Sequence, residues 1–83
     1  MALQKELIET ISKSIVDVPE EVQVTVIEGE NTNMIELRVN ENDYGKVIGK
    51  KGRIVNAVRM LLSIASRTSK KRWILDIVDK KNH

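Results

Sequence analysis

The 83-residue chain contains no cysteine and no phenylalanine, one proline (Pro19) and one histidine, His83 at its end. Without cysteine there is neither a disulfide nor a thiolate to build with. A lone terminal histidine removes the metal sites and catalytic triads that depend on imidazole. No apolar run approaches the roughly 20 residues that a membrane-spanning helix needs. The opening Met1-Ala2-Leu3-Gln4-Lys5-Glu6 lacks the apolar stretch of a signal peptide. The expectation is a soluble, cytoplasmic protein. No acid–base pair, nucleophile–base pair or metal-ligand set stands at a recognisable spacing, so neither an enzyme nor a cofactor is expected.

What is present suffices for one small core. Hydrophobic residues make up 41% of the chain and charged residues 31%, and the length leaves no room for a second core. A single domain over residues 1–83 is expected, with a polar, frayed tail at 79–83. The net charge of +2 hides a division along the chain. Residues 1–42 carry three basic against nine acidic side chains, a net −6, whereas residues 43–83 carry eleven against three, a net +8. A half so basic calls for a polyanionic partner, nucleic acid first.

Leu3, Leu7, Ile8, Ile11 and Ile15 recur at helical spacing and predict an amphipathic helix over 2–16, stopped by Asp17-Val18-Pro19. Residues 22–26 alternate and are rich in β-branched side chains, and 35–39 alternate as well, with Ile35, Leu37 and Val39 on one face and Glu36 and Arg38 on the other. Joined by the turn-rich 28–33, these segments predict an antiparallel hairpin. Asn40 then N-caps a short helix over 41–48, with Asp43 in a capping-box-like position. A longer helix follows over 53–66, then a basic loop at 67–71 and a third strand at 72–78. In that strand Trp73 alternates with Leu75 and Ile77 and reads as a sheet residue. The order α-β-β-α-α-β, with a two-helix crossover before the last strand, predicts that the second and third strands run parallel. The fold class is α+β in two layers.

The chemistry concentrates in Val47-Ile48-Gly49-Lys50-Lys51-Gly52-Arg53-Ile54. Two glycines three apart, between helices, permit backbone conformations closed to other residues and let another molecule approach the main chain. Lys50, Lys51 and Arg53 sit at the start of the long helix, where the macrodipole is already positive. Each cation there is unfavourable by about a few tenths of a kcal/mol, and after Asp43 the next acid is Asp76. Glycines, exposed N–H groups and unneutralised cations at one helix start describe a phosphate site. The spacing is that of neither a Walker A loop nor a G-x-G-x-x-G fingerprint, so nucleotide hydrolysis is not expected.

On the long helix, Asn56, Arg59, Ser63, Ser66 and Arg67 share one narrow sector. Its apolar residues spread over more than half the circumference, more than one sheet can cover. The first helix absorbs part of that surplus, and the rest lines a groove or a subunit contact. Two aromatics are too few for the stacking surfaces on which RRM and OB domains hold bases; an aliphatic groove beside a glycine–lysine loop needs none.

These residues resemble the KH (K-homology) nucleic-acid-binding domain, whose signature is an I-G-x-x-G loop between two helices, here Ile48-Gly49-Lys50-Lys51-Gly52. The element order is similar to the type II, bacterial form, and the likeness extends over essentially the whole chain. It implies a three-stranded mixed sheet packed against three helices, and a loop that clamps about four nucleotides of single-stranded RNA. Single-stranded DNA is not distinguished from RNA at this stage. By position, Gly49, Lys50, Lys51 and Gly52 form the clamp, with Lys46 and Arg53 beside it. Val47, Ile48 and Ile54 line the groove, and 68–71 is the variable loop whose Lys70 and Lys71 add phosphate contacts. The resemblance further implies an RNA-chaperone or post-transcriptional role, a homodimer, and pairing with a KH-containing protein of the Jag type. Two other readings stand beside it: a protein-interaction module whose dimer face is the surplus apolar helix surface, and a double-stranded DNA binder of helix-turn-helix type.

Overall fold

The computed structural model describes residues 3–78; the tail expected at 79–83 lies outside them. Helix α1 (Leu3–Ile15) is followed by a 3-10 turn at Pro19–Glu21, then strands β1 (Gln23–Glu28) and β2 (Thr32–Arg38). A 3-10 turn at Glu41–Asp43 runs into the short helix α2 (Tyr44–Ile48). A second, at Lys50–Gly52, runs into α3 (Arg53–Ala65), and β3 (Arg72–Ile77) completes the order. No helix among the described residues is long and apolar enough to cross a membrane.

The sheet order is β1-β2-β3. β1 and β2 pair antiparallel, with Val24 opposite Leu37 and Val26 opposite Ile35. β2 and β3 pair parallel, with Ile35 beside Leu75 and Leu37 beside Ile77, as the two-helix crossover requires. The period of two then sorts the side chains. Val24, Ile35, Leu37 and Leu75 face the helices and join Ile8, Val55, Val58 and Leu62 in the core. Ile8, Ile35, Leu37 and Leu62 are at most 2% exposed, and burying each contributes about 2 kcal/mol. The opposite face is more open, and there Glu36 and Asp76 stand in register on neighbouring strands.

The hairpin is tighter than the composition of residues 28–33 suggests. Glu28 still pairs with Asn33, and the Gly29 N–H donates to the Thr32 carbonyl at 2.9 Å, which leaves only Gly29, Glu30 and Asn31 between the strands. Thr32 and Asn33 are turn-forming types, yet here they continue the alternation, with Asn33 on the buried face. The helix expected over 41–48 is a 3-10 turn followed by five α-helical residues. Asn40 caps it as expected, its Oδ1 accepting from the Asn42 N–H at 2.8 Å.

Candidate nucleic-acid interface

Asp43 completes no capping box. Its side chain is 1% exposed and crosses to the α1–β1 connection, where Oδ1 accepts the Asp17 N–H at 3.1 Å and Oδ2 the Val18 N–H at 3.0 Å. Those two donors fall beyond the end of α1 and have no helical partner, so the carboxylate satisfies them where a capping box would have satisfied Asn40. Lys46 joins the cluster, its Nζ lying 2.8 Å from Asp17 Oδ2 and 3.4 Å from Asp43 Oδ1. Burial alone would push the Asp43 carboxyl up, but the Asp17 and Val18 N–H groups and the Lys46 hydrogen bond and charge hold it below the usual carboxylate value. Lys46 moves the other way. Its hydrogen bond to Asp17 raises its pKa against its own desolvation, and the Asp17 and Asp43 charges add to the rise. The Lys46 ammonium is therefore held by two carboxylates rather than presented to the glycine loop.

At the other end of α2 the backbone takes three positive φ angles in four residues: Gly49 at 78°, Lys51 at 58° and Gly52 at 75°. The Gly49 N–H closes α2 on the Gly45 carbonyl at 2.9 Å, and the Gly52 N–H turns back to the Gly49 carbonyl at 3.1 Å. Gly49, with ψ 168°, lies in a region essentially reserved for glycine. A Cβ there would also stand 2.6 Å from Ile54 Cγ1 and 2.8 Å from the Ile54 nitrogen. Gly52 is left-handed, and a Cβ on it would meet only ordinary contacts. No side chain caps the start of α3. Lys50, Lys51 and Arg53 are exposed, and among the described residues none has a carboxylate partner.

Of the apolar residues expected to line the groove, Ile48 and Ile54 are half-buried beside this loop. Val47 is not a groove residue: it is 3% exposed and belongs to the core. A helix of five residues presents one position squarely inward, and Val47 occupies it. Lys70 and Lys71 lie at the far end of α3, about 20 Å along its 13 residues. There the second half of α3, the 66–71 loop and β3 enclose a cleft of about 530 Å³. Arg59, Arg67, Lys70, Lys71 and Arg72 line it together with Ser66 and Trp73. The Trp73 Nε1–H donates to Ser69 Oγ at 3.1 Å. Its ring packs against the core, as its alternation with Leu75 and Ile77 suggests, and also reaches the cleft wall. The Ser66 hydroxyl is enclosed with no partner among the described residues. The structure thus gathers the expected site residues into two cationic clusters at the two ends of α3.

Arg59 stands between the clusters; the sequence places it in the polar sector of the long helix but not among the expected site residues. Its Nη2 donates to the Leu75 carbonyl at 3.3 Å. The available signal was that it is the one charged residue near the middle of the polar sector of α3. A different sector of α3 carries Met60, Leu61 and Ile64, which are 66%, 45% and 58% exposed. With Ala57 they form an i, i+3, i+4, i+7 stripe that neither α1 nor the sheet covers.

Sequence comparisons agree with this arrangement. The profile described as "KhpA/KhpB, KH domain" matches residues 5–77. The chain is 47% identical over 74 residues to the RNA-binding protein KhpA of Clostridium acetobutylicum, covering 89% of this chain and 99% of the relative. It is 49% identical over 74 residues to the protein of that description from Borreliella burgdorferi, covering 89% and 90%. It is 46% identical over 79 residues to that from Aquifex aeolicus, covering 95% and 100%. No solved structure gives a significant match. An I-G-x-x-G loop between two helices, a parallel β2–β3 pair joined through them, and matches spanning nearly all of the described residues lead to one assignment: the chain belongs to the KH-domain family of KhpA and KhpB.

Proposed function

We propose that the chain is a non-enzymatic binder of single-stranded RNA, which it holds through the Gly49–Gly52 loop and the adjoining side of α3. The observation that carries this reading is the loop itself. Lys50, Lys51 and Arg53 are exposed without carboxylate partners among the described residues, at an uncapped helix start whose dipole already favours an anion. Such an arrangement is unfavourable until phosphates neutralise it. The relatives' description as RNA-binding proteins supports the same choice of polyanion. Phosphates run from the loop past Ile48 and Ile54 toward Lys70 and Lys71, a path that suits the four nucleotides of a KH clamp. Lys46 contributes by holding α2. Duplex recognition is not favoured, because an outward face of Met60, Leu61 and Ile64 offers no polar groups to base edges. The relatives' description as RNA-binding proteins also supports, as part of this reading, an RNA-chaperone or post-transcriptional role in the cytoplasm.

Affinity for a short single-stranded RNA should fall roughly thirtyfold between 50 and 200 mM salt, the response of three or four phosphate contacts. A flat profile removes the phosphate clamp.

The apolar stripe of α3 supports self-association as a second property of the chain. Met60→Asp should convert a dimer into a monomer in sedimentation, and a strict monomer in the parent at high concentration refutes it. The paired description KhpA/KhpB supports a second KH-containing protein, of the Jag type that the resemblance implies, as an alternative partner.

A further inference from the structure

We propose that the outer edge of β1 is a docking site for an extended, lysine- or arginine-rich segment of another protein. This surface is separate from the RNA site, which draws on the basic half of the chain and leaves most acids of residues 1–42 without a role. β1 ends the sheet, with β2 on one side and no strand on the other among the described residues. In an antiparallel pair, opposite residues alternate between exchanging both main-chain bonds and exchanging none. The Gly29 N–H donates to the Thr32 carbonyl at 2.9 Å. The bonded pairs therefore continue as Ile27 with Met34, Thr25 with Glu36 and Gln23 with Arg38. Val24, Val26 and Glu28 turn their N–H and C=O groups the other way, off the sheet. Exposure along these three grows toward the hairpin: Val24 is 9% exposed, Val26 is half-buried and Glu28 is open.

An edge of this kind accepts a further strand unless lysine, proline or a bulge protects it. β1 has none of these: Gln23-Val24-Thr25-Val26-Ile27-Glu28 pairs residue for residue with β2. Charge then selects the occupant. Glu20 and Glu21 stand just before β1, and Glu28 and Glu30 at its far end, all exposed. None has a cationic partner among the described residues; Glu21 takes only a hydrogen bond from Asn40 Nδ2. Arg38 stands on β2, one strand in from the edge. The acids thus bracket an edge about 20 Å long. A second β1 laid antiparallel would set Glu28 and Glu30 of one copy against Glu20 and Glu21 of the other, and RNA would meet the same repulsion. A segment with cations flanking about six residues meets none. On the open face Ile27, Met34 and Ile74 form a row across the three strands, and Ile27, at its outer end, is 48% exposed. An added strand continues that row with an apolar side chain beside Ile27. Main-chain bonds supply the affinity, and the flanking charges choose the partner.

The test titrates two ten-residue probes into the nitrogen-15-labelled chain and follows its amide resonances. One probe has two lysines at each end of six alternating threonines and valines, and the other has glutamates in place of the lysines. The lysine probe should shift the Val24, Val26 and Glu28 amides and leave Gly49 and Gly52 in place; the glutamate probe should shift neither set. Glu28→Gln should weaken the lysine probe about twofold, the worth of one exposed ion pair. Glu28→Pro should weaken it about tenfold, because it also removes an outward N–H that takes no part in the β1–β2 ladder. Should Glu28→Pro unfold, Glu28→Gln and the glutamate probe still decide the matter. Equal binding of both probes shows that charge does not choose the occupant and overturns the proposal. A lysine probe that moves no β1 amide at millimolar concentration overturns it as well. So do concentration-dependent shifts of these amides without a probe, which make a second copy the occupant, and a short single-stranded RNA that shifts them.

Discussion

The two ends of α2 lie one and a half turns apart and treat charge in opposite ways. At its start, Asp43 is buried with both oxygens bonded and Lys46 lies between two carboxylates. At its end, Lys50 and Lys51 are exposed without acidic partners among the described residues, in a loop where Gly49, Lys51 and Gly52 take positive φ. The first end ties α2 to the α1–β1 connection across about 25 residues of chain, so its charges are spent on folding. The second keeps its charges for a ligand. A lysine four residues from another need not share its purpose, and what distinguishes the two is whether a carboxylate is in reach.

The contrast can be broken from either side. The largest effect should come from Lys50→Asp with Lys51→Asp, which should weaken RNA binding about a hundredfold or more at moderate salt. The same exchange places acids at a helix N-terminus and should raise stability by about 0.5 kcal/mol in urea denaturation. A folded double variant that binds RNA as tightly as the parent refutes the loop as the site. Next, Gly49→Ala should cost about 3 kcal/mol, from a glycine-only conformation and the contact with Ile54. Gly52→Ala should cost about 1 kcal/mol, from left-handed strain alone; equal losses would contradict the loop geometry.

At the other end, Asp43→Asn should lower the thermal midpoint at neutral pH and leave the RNA affinity of the folded protein unchanged. It turns an amide NH₂ toward a backbone N–H. Because the folded carboxyl sits below its ordinary value, its stabilisation is complete above that value and lost as pH falls through the depressed one. The stability curves of parent and variant should therefore converge in acid, and curves that stay parallel exclude this origin. Lys46→Met should show the smallest effect, a slight loss of stability. Since the Lys46 pKa is raised, that difference should fade as pH climbs past the folded value. A loss of RNA affinity matching that of the Lys50 and Lys51 exchange would return Lys46 to the clamp.

Much of this was legible from local pattern. The spacing of Ile8, Ile11 and Ile15 marks α1, the alternation of Ile35 and Leu37 marks β2, and the two glycines with their cations mark the loop. Less legible were features that depend on a partner distant in sequence. Asp43 looks like a capping residue until its carboxylate is seen against Asp17 and Val18. Val47 reads as part of an apolar rim because the hydrophobic run gives no direction for a helix this short. Arg59 looks like one polar residue among several, since its meaning comes from a strand edge that forms only when β3 docks. The hairpin loop is shorter than its composition suggests for the opposite reason: Thr32 and Asn33 have turn-forming side chains, and cross-strand pairing overrides that preference.

Lys51 holds a left-handed φ of 58° without being glycine, a strain of about 1 kcal/mol. A glycine in its place would relax the loop and remove one of its cations in the same step. Selection for heat resistance alone would accept that exchange, and so would an engineer ranking variants by melting temperature. Position 51 is thus where an improved fold and a weakened binder are the same mutant.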